Sequence, residues 1–319
     1  MVKIRIKEYF KLEEFETDFV NISLDKDLKV FIDPNKINNT SNKDFNGELA
    51  KIKIEDFFLH NFNLYKSGKK SQTLRNFESS SEINATHLGY SNSKSSGKGN
   101  SPIILKDVFD TIKDSGALTD SMISNPVILN IFVPNFGEDR LSDLITSIIS
   151  KELAEYTLIR AKLYNLDLKY FTLCDFWNDK KSQWEKLKVK LPFDALGKPI
   201  LLVPKSIVSL KFEFSSENYL REIIYKHRQQ HHLDKMTPLV QVIKRADGSN
   251  MYKKPTQKML KQVEIDNVYG SKNNGIKKYI LDQTLTEPQL LQQYLDRFDT
   301  LKSLRSFSIV TDEDIDKIL

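Results

Sequence analysis

PVILNIFVPNFGEDRLSD, residues 126–143, is the stretch on which the fold turns. Residues 127–133 form an apolar run held between Pro126 and Pro134. A run of this length between breakers predicts a strand buried on both faces, at the centre of a sheet. Asn135-Phe136-Gly137 supplies a turn. From about residue 139 to 164, Leu141, Leu144, Ile148, Leu153 and Leu158 line one side and predict a single long helix.

Working outward, Val2, Ile4 and Ile6 alternate with Lys3, Arg5 and Lys7, the period of a half-buried strand. Further strands are predicted at 19–24, at 28–32 (stopped by Asp33-Pro34), at 169–173 and at 199–203. Helices are predicted at 47–64 and from Ser101-Pro102 to Gly116, where a cap and a first-turn proline begin the helix and glycine ends it. Trp177 and Trp184 stand seven apart, a helical spacing that fits core contacts. Residues 66–101 are rich in Ser, Asn, Gly and Lys and read as a polar loop. Beyond residue 205 the pattern turns helical, at 216–233, 237–245, 255–265, 275–283 and 288–301. The expected class is mixed α/β. A body over 1–205 has a central sheet with flanking helices, and a mainly helical, basic region follows over 206–319.

Composition narrows the function classes. At 319 residues, with 39% hydrophobic and 29% charged residues, the chain folds around a core and is neither fibrous nor disordered. The single cysteine, Cys174, rules out an intramolecular disulfide and a multi-cysteine zinc site, and it reads as a buried thiol. The amino terminus lacks the apolar core of a signal peptide, and no run approaches the ~18 apolar residues of a membrane helix. Both features predict a cytoplasmic protein. The net charge of +5 rests on 39 Lys against only 9 Arg. Residues 221–278 hold 13 Lys/Arg against 5 Asp/Glu, a local balance of +8, so the rest of the chain nets −3. A basic block on a slightly acidic chain is a footprint for phosphate. Within it, Arg221, Lys226, Arg228, Lys244, Arg245, Lys253 and Lys254 are the candidate nucleic-acid contacts.

Four constellations can carry chemistry. Glu138, Asp139 and Asp143 follow the apolar run, and Asp139 and Asp143 share a helical face. Clustered carboxylates suit Mg²⁺ or Mn²⁺, although acids in a first turn also simply complement the helix dipole. Asp33 and Lys205 each end an apolar run beside a proline. If those ends converge, Asp33, Glu138, Asp139 and Asp143 are the metal ligands and Lys205 the cation that steadies a phosphate or a nucleophilic water. The polar loop carries Gly97-Lys98-Gly99, a turn able to cradle phosphate but lacking the Walker A frame. His227 and His231 lie one helical turn apart, which is too few ligands for a zinc site.

Taken in order, the Ile32-Asp33-Pro34 turn, INATHLGYS at 83–91 with the following GKG, FGEDRLSD at 136–143 and ILLVPK at 200–205 resemble a group of bacterial proteins associated with mobile elements and anti-phage loci. A strand-terminal aspartate with a second carboxylate and a lysine resembles, in part, the PD-(D/E)xK nucleases. Asp167-Leu168-Lys169 matches the Asp-x-Lys half, while no aspartate followed by Glu-x-Lys on a hairpin completes the pattern. The resemblance implies a nucleic-acid-directed bacterial defence protein, with a metal-dependent nuclease as one form. The other form is a non-catalytic sensor or adaptor that binds a partner protein from the same locus.

Overall fold

In the computed structural model, which describes residues 4–37, 39–78, 83–89, 102–304 and 309–318, the apolar run is a helix, Val127–Phe132. All six of its side chains are buried. Where every face is covered, hydrophobic periodicity cannot separate strand from helix. Hydrogen bonding decides, because a helix satisfies its own backbone while a central strand needs a neighbour on each edge. Asn125 Oδ1 accepts the Val127 N–H at 3.1 Å and starts the helix. At its other end the Lys277 ammonium donates to the carbonyls of Asn130, Val133 and Phe136, at 2.6, 2.9 and 3.0 Å.

The class is mixed α/β, as expected. In place of one central sheet, the described strands form three separate two-stranded antiparallel sheets. Phe31–Ile32 pairs with Val208–Ser209, Lys169–Asn178 with Gln183–Leu191, and Gln241–Lys244 with Asn250–Lys253. The stretches at 19–24 and 199–203 make isolated bridges and single bonds, such as Val20 N–H to Val203 O at 2.9 Å, in place of full strands. At the amino end Ile6–Tyr9 is a short helix entered from an Arg5–Ser23 bridge, and Val2 and Lys3 lie outside the described residues.

The helices Gly47–Lys66 and Pro102–Ser115 stand where the sequence places them. The predicted long helix is two, Glu138–Ile148 and Ser150–Leu163, with a break at Ile149. Thr146 Oγ1 bonds back to Ser142 O, and Ser147 Oγ to Asp143 O. Such hydroxyl back-bonding bends helices, and here it precedes the break. The tryptophans are cross-strand partners in the central hairpin, with rings 5.5 Å apart and Phe57 against both. Their spacing of seven therefore reflects a hairpin turn. Within the predicted polar loop, the described residues include the helix Lys70–Glu78 and the 3-10 turn Asn84–Thr86. Gly97-Lys98-Gly99 and the Cys174 side chain fall outside the described set.

In the C-terminal region, a continuous helical stretch runs from Ser216 to Asp234 through a π-helical segment, Leu220–Ile224. The segment expected as a helix at 237–245 is a β-hairpin arm. Asp247-Gly248 turns it, with Gly248 at φ +81° and Arg245 N–H bonded to Ser249 O at 2.8 Å. One connected set of buried side chains extends from Ile6 to Ile315. No described helix is long and apolar enough to cross a membrane.

Replacing Lys277 by Met removes three hydrogen bonds to buried carbonyls, of which Val133 O keeps the Phe136 N–H, so the unfolding free energy should fall by on the order of 3 kcal/mol. Urea denaturation measures it, and a loss below about 1 kcal/mol would show that water replaces the ammonium without cost.

Candidate functional site

Asp33 ends the strand Phe31–Ile32 and is buried. Its Oδ1 accepts from the Asn35 backbone and side-chain N–H groups at 3.0 and 3.2 Å, and its Oδ2 from the Ser209 hydroxyl at 2.9 Å. The strand is fastened to the Glu138–Ile148 helix by Ile32 N–H donating to Ser142 Oγ at 2.9 Å. That contact brings Asp33 into the electrostatic range of Glu138, whose Oε1 accepts the Phe212 N–H at 2.7 Å. Burial pushes both carboxyls above the ordinary carboxylate range, and their mutual repulsion raises Glu138 further.

The cation beside Asp33 is Lys36, not Lys205. Lys36 is buried and donates to Val208 O at 2.8 Å. Burial pushes its amine down, while the carboxylates of Asp33 and Glu213 hold it up. The sequence signal was present as Asp33-Pro-Asn-Lys36, because three residues across the first turn of the helix Pro34–Ile37 return the lysine to the aspartate. Lys205 turns elsewhere. It opens a 3-10 turn after Pro204, and its ammonium binds Thr17 O at 2.9 Å and Asp312 at 2.8 Å.

Asp139 serves a different contact. A Cβ at Gly89 would stand 2.8 Å from Asp139 Oδ1, and Gly89 has φ +114°, so only glycine fits there. Gly89 N–H and His87 O bond to Leu28 O and Leu28 N–H, at 2.9 and 2.8 Å. The His-Leu-Gly text is thereby laid along the segment leading to Asp33. His87 is buried, burial pushes its imidazole down, and its Nε2 has no partner among the described residues. Asp143 lies half-buried one turn beyond Asp139. The motifs at 32–34, 87–89 and 136–143 therefore do meet. Among the described residues, however, no three His, Cys, Asp or Glu side chains are grouped to hold an ion. The four expected ligands divide into an Asp33–Glu138 pair and the separately engaged Asp139, with Asp143 outside the pair. An open cleft of about 450 Å³ borders Glu138 but not Asp33, lined by Asn135, Glu138, Arg140, Lys211, Ser216 and Lys277 among others.

The basic segment also divides. Arg221 and Lys226 are paired with Glu222, at 3.0 and 2.9 Å. Arg228 is drawn into a network that sequence reading missed. It donates to Glu264 through Nε and Nη2, while His232 Nε2 and the Tyr279 hydroxyl bind the same carboxylate. Against the upward push of burial, these donors hold Glu264 below the usual carboxylate range. These three helical cations are already ion-paired, two of them sharing Glu222. Lys244, Arg245, Lys253 and Lys254 sit on the hairpin arm, exposed and without an ion pair among the described residues.

Residues 11–215 match a family described as a domain of unknown function, DUF8370. No curated protein and no solved structure matches the chain.

The buried carboxyls make a pH prediction. A carboxyl held above its ordinary value, near 3.8 for aspartate, favours the folded state when protonated. That stability is fully present below the ordinary value and is lost as pH rises through the raised one. The stability difference between the natural protein and Asp33→Asn should therefore shrink or reverse over that interval. Denaturant titrations at a series of pH values measure it, and a difference independent of pH contradicts the assigned shift.

Proposed function

We propose that this chain, which belongs to the DUF8370 family, is a nucleic-acid-directed protein that works by binding and grips phosphate through its C-terminal region. The single observation carrying this reading is the contrast among its cations. Arg221, Lys226 and Arg228 on the helices are held by Glu222 and Glu264, whereas the four on the arm have no ion pair among the described residues. Unmatched cations gathered on a projecting element bring phosphate close and release its counterions. A bacterial anti-phage or mobile-element setting fits this activity, and the order of motifs from Asp33 to Lys205 is what supports that setting.

Anisotropy with labelled DNA and RNA across a salt series tests the reading. Binding should weaken linearly in log–log form. Replacing Lys244, Arg245, Lys253 and Lys254 together by Ala should reduce the magnitude of the slope by roughly 3 to 4. No binding at low salt, or an unchanged slope, defeats it.

A second reading, cleavage, is favoured by one observation: Asp33 and Glu138 share a buried neighbourhood with Lys36. Two carboxylates together with substrate oxygens are a common holder of Mg²⁺, and Mn²⁺ takes similar ligands. In this reading Lys36 takes the place given to Lys205 by the sequence. Labelled nucleic acid incubated with Mg²⁺ or Mn²⁺ should be cut by the natural protein and left at least roughly a hundredfold less cut by Asp33→Asn and Glu138→Gln. Absence of metal-dependent cutting, or cutting equal in both variants, leaves the protein as a binder alone.

A further inference from the structure

The hairpin Gln241–Lys244/Asn250–Lys253 exposes every residue of both strands. An isolated two-stranded hairpin is marginal in water, so this one needs support at its base. Thr237 and Pro255 provide it. Thr237 Oγ1 lies 2.6 Å from His232 Nδ1, and Pro255 O accepts from Gln229 Nε2 at 2.7 Å. Both stems are therefore clamped to the helix Tyr225–Asp234, and the ribbon projects from a fixed base.

The register sets what each face displays. Val242 opposes Tyr252 and Lys244 opposes Asn250 on one face, while Ile243 opposes Met251 and Gln241 opposes Lys253 on the other. Each face thus carries an apolar pair beside a cation and an amide. Tyr252 is 46% and Val242 54% exposed, more than solvation of a single-sided hairpin requires. A surface of this kind on both sides fits a partner that surrounds the ribbon. The charge selects the partner, since four cations stand against the one carboxylate of Asp247, and two copies of the arm would repel.

We propose that this hairpin is a β-ribbon that enters the major groove of B-form double-stranded DNA. The inference rests on the nucleic-acid-binding reading above and names its ligand. Strands about 4.8 Å apart, with side chains on both faces, match a groove about 12 Å wide. Lys244, Lys253 and Lys254 reach the flanking phosphates. Arg245 carries the forked donors that match guanine O6 and N7, and Gln241 and Asn250 carry amides whose NH2 and C=O match adenine N7 and N6–H in that groove. Val242, Ile243 and Met251 supply the apolar contact that thymine methyls accept. Duplex RNA excludes the same ribbon, because its A-form major groove is too narrow and deep for side chains to read.

The test uses the full chain with a mixed-sequence DNA duplex, the same strand alone, and an RNA duplex of the same sequence. Duplex DNA should bind roughly tenfold or more tightly than either competitor. Arg245→Ala combined with Asn250→Ala should erase most of that preference, while circular dichroism and the helical core stay unchanged. Guanine N7 in the bound duplex should be protected from methylation. Equal affinity for the three ligands, unprotected guanines, or a variant that changes self-association and leaves DNA binding intact would overturn the ribbon. If the three nucleic acids bind equally and the arm's four cations still set the salt slope, the ribbon fails and the broader reading survives. If nothing binds, both fail.

Discussion

One ammonium group meets the carbonyls of Asn130 and Val133 at the end of the fully buried helix Val127–Phe132 and that of Phe136 in the turn beyond it. Helix ends leave carbonyls without partners, and a buried end requires a donor from elsewhere in the chain. Lys277 supplies all three hydrogen bonds from a helix nearly 150 residues away. The contact joins the C-terminal helices to the body and positions the turn that leads into Glu138. The cleft beside Glu138 is lined in part by that same lysine.

Charge is handled in two ways. In the interior, several ionised groups are answered in sets: Lys53 with Glu152 at 2.5 Å, Arg160 with Asp18 and Asp44, and Glu264 with Arg228, His232 and Tyr279. Unpaired charge there would cost several kcal/mol, by rough estimate, which is why these residues come in sets. On the arm no such answer exists, and water solvates the cations at little cost. The chain's overall +5 is thus a poor guide to where phosphate would go. Of the seven basic residues expected to contact nucleic acid, the four without an ion pair among the described residues lie on one short hairpin.

How much of this was legible in the sequence varies with the interaction range. The helix Gly47–Lys66 begins at the Asn46 cap, whose side chain accepts Leu49 N–H at 3.0 Å, and it lies where periodicity predicts. The helix after Pro102 is equally local. The hairpin was misread as helix although Asp247-Gly248, flanked by QVIK and NMYK, is turn chemistry between two β-prone segments. Lys205 was misassigned for a different reason. Its place at the end of an apolar run was right, but its direction depends on Asp312, more than a hundred residues later. The joining of Asp33 to Glu138 was anticipated in outline, and Lys36 could have been found from its helical spacing to Asp33.

By itself, the sequence determined the mixed class, the helices after Asn46 and Pro102, and the concentration of basic residues after 220. These follow from spacing, capping and backbone freedom, which act over a few residues. The tertiary structure alone decided that 127–133 is a helix, which carboxylates become neighbours, and which cations stay without a counter-charge. Each of those depends on what a distant segment brings to the same place. A buried group's partner is chosen by the packing of the whole chain, and local pattern holds no record of it.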